Sequence, residues 1–162
     1  MSKKQLTIQY EELESRQALN EKDLELLEQA EEALKRAYSP YSGFKVGAAL
    51  RLDNGKIFTG NNQENASFPV GLCAERVALF AAHAQYPSQK IETLVVTAAG
   101  SQKVLESPVT PCGSCRQVFT EFEKEQQAPL RVILASGKGK ILLFENADSL
   151  LPLSFFSNQL NH

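Results

Sequence analysis

Hydrophobic spacing sets out most of the chain's elements before any chemistry is considered. Residues 1–19 are polar, with a brief alternation at Leu6 and Ile8, and read as a loose arm or an added strand. From Asn20, a suitable N-cap, the pattern turns helical: Leu27, Ala30, Leu34 and Ala37 share one face, and Pro40 ends the helix. Two extended runs follow, Phe44 to Leu52 and Lys56 to Gly60. Asn54-Gly55 between them predicts a hairpin closed by a type I′ turn. A loop at 61–72 leads into an alanine-rich helix from Cys73 to about Tyr86, then a buried strand from Ile91 to Ala98. After a loop at 99–111, a third helix starts at Pro111 and runs to about Lys124. Strands at Leu130–Ala135 and Ile141–Phe144 flank a glycine-containing turn, and a short helical turn follows Asp148. Helices alternating with strands in this order predict an α/β fold with a mixed sheet covered on both faces. Residues 20–162 read as one domain, without repeats or an interdomain linker.

Composition narrows the function classes. A chain of 162 residues with net charge −2 has no basic excess with which to hold a polynucleotide, so no nucleic-acid partner is expected. No apolar run approaches the length of a membrane span, and no apolar segment follows Lys3 and Lys4 as a secretion signal would require, so we expect a cytoplasmic protein with no membrane partner. The cysteines number three, an odd count that fits metal binding or catalysis better than a disulfide framework.

Those cysteines stand in Cys73-Ala74-Glu75 and Pro111-Cys112-Gly113-Ser114-Cys115. A C-x-x-C pair alone is weak, because redox sites and structural zinc knots share it. Here Pro111 suits the first turn of a helix, placing Cys112 and Cys115 on one face at its start. Cys73 also stands at a helix start. Helix N-termini favour thiolates, so two of them can converge on one cation. Three sulfurs leave zinc one open position, the mark of a catalytic rather than a closed structural site. His83, in mid-helix, and His162, at the terminus, lack ligand spacing. Glu75, two residues after Cys73, can point at the open position and act as the acid–base group. Three buried cysteines beside a surface glutamate, or a non-catalytic zinc module, remain the plainer alternatives. Neither has a use for an open position with a carboxylate beside it.

These two motifs resemble the zinc-deaminase signature, C-x-E with P-C-x-x-C and a glutamate that is not a ligand. Ser39-Pro40-Tyr41-Ser42 with Phe44, Val46-Gly47-Ala48-Ala49-Leu50, Asn62 with Glu64-Asn65, and Leu150-Leu151-Pro152 extend the likeness over about residues 20–156, to the small cytidine deaminases of nucleoside salvage. The resemblance implies a three-layer α/β/α fold with a five-stranded mixed sheet. It also implies hydrolytic deamination of cytidine and deoxycytidine to uridine and deoxyuridine, with one Zn²⁺ per chain held by Cys73, Cys112 and Cys115 and protons moved by Glu75. Phe44 is expected to pack on the pyrimidine, and Asn62 and Glu64 to bind the ribose. Phe155 is expected to reach a neighbouring subunit's site within a homotetramer. Taken alone, Phe44 would be core and Asn62 and Glu64 turn residues. Arg76 is expected to offset the surplus negative charge of a three-thiolate zinc. Phe68 stands where many members carry tyrosine. A deaminase for the antibiotic blasticidin S shares the zinc motif, but Phe44 and the Asn62/Glu64 pair favour ordinary nucleosides.

Overall fold

The computed structural model describes residues 1–100, 104–137, 139–156 and 159–160. The first helix, α1 (Glu21–Lys35), is capped by Asn20, whose side-chain oxygen accepts the Asp23 backbone N–H at 3.0 Å. It ends five residues short of Pro40, where Arg36 and Ala37 donate back to the Ala33 and Leu34 carbonyls in a tightened last turn. Next come β2 (Lys45–Leu52), β3 (Ile57–Asn61), α2 (Ala74–Gln85), β4 (Ile91–Ala99), α3 (Gly113–Glu125), β5 (Arg131–Ala135) and β6 (Ile141–Phe144). A 3₁₀ turn at Ala147–Leu150 follows, matching the expected helical turn near Asp148.

The sheet has six strands, not the expected five, in the order β1-β6-β5-β4-β2-β3. The extra strand is β1 (Glu11–Leu13), antiparallel to β6 with Leu13 opposite Ile141. It lies beyond Leu6 and Ile8, which are exposed and outside any strand. Three residues, two of them glutamates, are too few to leave a periodic signal. The segment is held by tertiary contacts instead: Tyr10 stacks on Phe144 at 5.4 Å, Glu12 pairs with Lys140, and Arg16 pairs with Glu31 of α1. Every strand pair is antiparallel except β4–β5, which α3 connects.

The β2–β3 turn also differs from expectation. Gly55 has φ of 82°, but Asn54 does not take positive φ, as a type I′ turn would require. The Gly55 N–H bonds to the Leu52 carbonyl and the Leu52 N–H to the Lys56 carbonyl. The connection is therefore a three-residue loop, Asp53-Asn54-Gly55, closed by a left-handed glycine. Asp53 lengthens the loop by one and relieves Asn54 of the strained conformation.

Alternation along the strands sorts the core into two layers. Ala49, Val95 and Ile133 face α1, meeting Leu26, Leu27 and Ala30. Ala48, Leu50, Leu94, Val96, Val132 and Leu134 face α2 and α3, meeting Ala78, Leu79, Cys115 and Phe119. The result is the three-layer α/β/α arrangement. Two buried carboxylates lock it. Asp23 of α1 receives Arg131 of β5 at 2.8 Å. Glu123 of α3 accepts the backbone N–H groups of Leu130 and Ala147, both at 2.7 Å, and of Asp148 at 3.1 Å.

Each helix layer touches the sheet backbone at a glycine. A Cβ on Gly47 would lie 2.0 Å from the Ala30 carbonyl oxygen of α1, and one on Gly60 would lie 2.4 Å from the Ala74 carbonyl oxygen of α2. Both obstacles are helix backbone, which cannot swing aside. Gly47→Ala should therefore cost at least about 3 kcal/mol, the upper end of ordinary overpacking. Gly113→Ala, with nothing within 4 Å of the new methyl, should leave stability within about 0.5 kcal/mol. Urea denaturation of the two variants checks this contrast.

Candidate active site

Gly60 is what brings the start of α2 down onto β3, and the site is built at that start. Cys73 occupies the N-cap of α2 with extended backbone (φ −73°, ψ 151°). Cys112 occupies the N-cap of α3 in the same way (φ −67°, ψ 165°). Pro111 therefore precedes the cap instead of opening the helix: the extended conformation that the cap needs displaces it by two positions. Cys115 lies in the first turn of α3 and is fully buried. The three Sγ atoms lie within 4.8 Å of one another, with Cys73 and Cys112 at 3.8 Å. A tetrahedron with zinc–sulfur bonds of about 2.3 Å has edges of about 3.8 Å, the spacing at which Cys73 and Cys112 already stand.

The electrostatics of the cluster call for a cation. The hydrogen bond with Cys115 pulls the Cys73 thiol down to about 5, helped by Arg76 and opposed by burial. The same bond pushes the Cys115 thiol far up, with burial and the nearby charges of Glu75 and Cys73 adding to it. Cys73 and Cys115 thus favour opposite protonation states, with the proton on Cys115. Divalent metal removes the conflict, and zinc binding requires the thiolate form.

Glu75, in the first turn of α2, is buried, 5 % exposed, and lines the cleft above the sulfurs. Burial pushes its carboxyl above the usual range, and the Cys73 charge adds to the rise against smaller opposing hydrogen bonds and Arg76. Arg76 places Nη2 3.7 Å from Cys73 Sγ, and its buried Nε has no partner among the described residues.

The cleft has a volume of about 610 Å³. Phe44, Val46 and Val96 form apolar wall, while Tyr41 and Phe68, in edge contact at 5.9 Å, stand exposed at its rim. Asn62 and Glu64 also line it, but both already hold backbone. Asn62 donates to the Phe44 carbonyl at 2.9 Å and accepts from the Val46 N–H at 2.8 Å. Glu64 accepts from the N–H groups of Tyr41 at 2.9 Å and Ser42 at 3.3 Å and from the Ser42 hydroxyl. These bonds, the Ser42 hydroxyl foremost, hold the Glu64 carboxyl below its usual range. No lysine or arginine is among the described residues lining the cleft; its charged residues are Glu64 and Glu75.

The structure thus gathers Cys73, Cys112, Cys115, Glu75, Phe44, Asn62 and Glu64 around one cleft, with Arg76 against the sulfurs. Phe155 does not line its own chain's cleft; it is 55 % exposed, with its carbonyl held by Gln117 at 2.8 Å. His83 is exposed against Phe122 and away from the cysteines, and His162 lies outside the described residues. Arg116 escaped the sequence reading: its Nε donates to the Pro111 carbonyl at 2.8 Å and its Nη1 to the Leu150 carbonyl at 3.0 Å. Its place directly after Cys115 was the available signal.

Three thiols converge from two helix starts, with a buried carboxyl beside them and an open cleft, and their donor set and spacing are consistent with zinc binding. The zinc-binding region of the cytidine and deoxycytidylate deaminases matches residues 20–128, and the chain belongs to this family. A cytidine deaminase from Halalkalibacterium halodurans is 38% identical over 136 residues, 84% of this chain and 96% of that protein. The solved cytidine deaminase from Burkholderia pseudomallei superposes with a TM-score of 0.71 at 41% identity, covering 81% of this chain and 97% of that one. A blasticidin-S deaminase from Bacillus cereus is 30% identical over 142 residues, 86% of this chain and 96% of that protein.

Metal analysis of the purified protein should return one zinc per chain. Cys112→Ala and Cys115→Ala should each reduce it below a tenth of that, since two remaining thiolates no longer enclose the ion. A variant that keeps full zinc would remove that cysteine from the ligand set.

Proposed function

We propose that this protein hydrolyses the 4-amino group of free cytidine and deoxycytidine, giving uridine or deoxyuridine and ammonia. The observation that carries this reading is the placement of Glu75 beside the thiols, in a cleft whose described lining holds no cation. A nucleotide would bring a phosphate toward Glu64 with no positive group to meet it, so the uncharged nucleoside is the better fit.

Bound by Cys73, Cys112 and Cys115, zinc supplies Lewis acidity and lets water react as a nucleophile near neutral pH. Glu75 does the proton work. Its carboxyl takes a proton from the attacking water and delivers it to ring N3, which makes C4 electrophilic, and later carries the proton of the new C4 hydroxyl to the departing amine, which leaves as ammonia. A buried carboxyl suits both tasks, because burial raises its proton affinity toward the working pH, where taking up a proton and giving it back are both accessible. Phe44 offers its ring to the flat face of the pyrimidine. Glu64 is an acceptor only, and Asn62 has one amide hydrogen left beyond its bond to Phe44. A sugar hydroxyl that donates to Glu64 and accepts from Asn62 satisfies both.

Arg76 has the role of charge balance. Three thiolates leave bound zinc formally at −1, which weakens it as a Lewis acid, and a guanidinium beside the sulfurs draws that charge back. The unpartnered Nε supports this, since thiolate sulfur is an acceptor within its surroundings. Residues 20–162 then act as the catalytic unit, with 1–19 as an added element. Assembly as a homotetramer with shared sites is supported by Phe155, Leu153 and Phe80, apolar side chains left exposed on the single chain. The free thiols of Cys73, Cys112 and Cys115 suit a reducing compartment, which supports a cytoplasmic location.

An ultraviolet assay following loss of cytidine tests the reading, with blasticidin S in parallel because of the Bacillus cereus relative. Cytidine turnover at least tenfold above blasticidin S is expected, and the reverse order would reassign the substrate. Glu75→Gln should keep zinc and lose about 10²–10⁴-fold in turnover. Arg76→Ala should keep zinc and lose less. Near-normal turnover in Glu75→Gln would move the proton carrier elsewhere.

Sharing of sites has its own test. Phe155→Ala should be weakly active alone, as should Glu75→Gln. Co-refolded mixtures of the two should exceed the sum of the separate activities, because a chain with intact Glu75 receives Phe155 from its neighbour. Activity no greater than the sum would return Phe155 to a role within its own chain.

A further inference from the structure

The segment Ser39–Phe44 turns back on itself at the cleft, and one oxygen stands at its centre. The Gly43 N–H donates to the Ser39 carbonyl at 3.0 Å, and Gly43 has φ of 64°, which only glycine adopts cheaply. That turn brings the Phe44 N–H back onto Ser42 Oγ at 2.9 Å. The same hydroxyl, having accepted from Phe44, donates its proton to Glu64 Oε1. The other carboxylate oxygen, Oε2, takes the Tyr41 and Ser42 N–H groups. Phe44 is fixed on its far side by Asn62, which holds the Phe44 carbonyl and the Val46 N–H.

We propose that Ser42 is a positioning residue that sets the spacing between the ring-stacking Phe44 and the sugar-binding Glu64, and so matches the cleft to the length of a nucleoside. This deepens the proposed function and rests on its assignment of Phe44 and Glu64. The physical ground is that one hydroxyl serves both residues. Phe44 belongs to the chain entering β2 and Glu64 to the loop leaving β3, so base and sugar contacts arise from different segments. Backbone bonds from Tyr41 and Ser42 fix Glu64 to the loop, and Ser42 Oγ alone carries that fixation on to the Phe44 N–H. Ser42 is exposed and buries no apolar surface, so its removal leaves the core intact. A methyl in place of the hydroxyl frees the Phe44 N–H and one carboxylate oxygen to water, and the spacing between the two residues then rests only on Asn62 and the backbone bonds to Glu64 Oε2.

Steady-state kinetics with cytidine on the zinc-loaded wild type, Ser42→Ala, Ser42→Thr, Glu64→Ala and the double variant Ser42→Ala/Glu64→Ala test this. Ser42→Ala should raise KM about tenfold, the loss expected for one hydrogen bond to a charged group near solvent, with kcat changed less than twofold. Ser42→Thr keeps the hydroxyl and should stay within threefold of wild type. In the Glu64→Ala background the further change from Ser42→Ala should be under twofold, because the coupling has already gone. Independent losses that multiply in the double variant, or a fall in kcat at constant KM, would overturn the proposal. A crystal structure of Ser42→Ala supplies a readout free of activity: the Phe44 ring and Glu64 carboxylate should shift relative to one another. An unchanged pair would overturn the proposal even if cytidine is the substrate, and a wild type inert on cytidine would instead overturn the functional reading.

Discussion

Three thiols brought within a few ångströms of one another from distant parts of the chain are the constraint around which the rest of the fold is arranged. Two helix starts must be aimed at one point from different parts of the chain. Gly60 lets α2 settle on β3, and the parallel β4–β5 pair forces the connection through α3, whose first turn then lies beside that of α2. Both N-caps are cysteines whose sulfurs face the cluster in place of capping their own helices. The N-terminal N–H groups of both helices thus bias the site toward anionic sulfur. Arg76 extends that bias from the side.

Around this centre, short polar side chains do the aligning. Asn62 spans the backbone on both sides of Lys45, Glu64 gathers the turn at Tyr41 and Ser42, and Arg116 joins the carbonyl before Cys112 to that of Leu150. Glu123 then pins the same C-terminal turn to the far end of α3. The zinc-bearing helix is therefore tied to the C-terminal segment at both ends. These bonds are charge-assisted or paired with backbone, and so carry more directional information than apolar packing alone.

The helices and strands of the core were legible because each rests on a strong local signal: Asn20 as a cap, alanine-rich spacing in α2, the apolar stretch Leu94-Val95-Val96 in β4 and the unbroken apolar run of β6. The metal cluster was legible because C-x-E and P-C-x-x-C leave few other uses for three cysteines. What escaped detection depends on contacts distant in sequence. β1 exists through Phe144, Lys140 and Glu31, none of which is near it in the chain. The β2–β3 turn followed the hydrogen bonding of Leu52 and not the Asn-Gly pair, because Asp53 was available to lengthen the loop. Asn62 and Glu64 could be marked as polar groups, and both line the cleft, but their grip on the loop needs the strand pairing that brings residue 62 beside residue 46. Glu123 was unreadable for the same reason, and Arg116 offered only its place directly after Cys115.

The added strand has an effect beyond its own three residues. Without β1, β6 would offer an open row of N–H and C=O groups to any extended peptide, since its other side is taken by β5. With it, the rim on this side of the sheet becomes a short stretch carrying Glu11 and Glu12, both exposed. Two negative charges on so brief a rim make a poor template for further pairing, because an incoming copy would set glutamates against glutamates. The arm thus acts as a charged selvedge that stops the sheet from growing sideways, and it favours dispersed chains over strand-by-strand aggregation at high protein concentration.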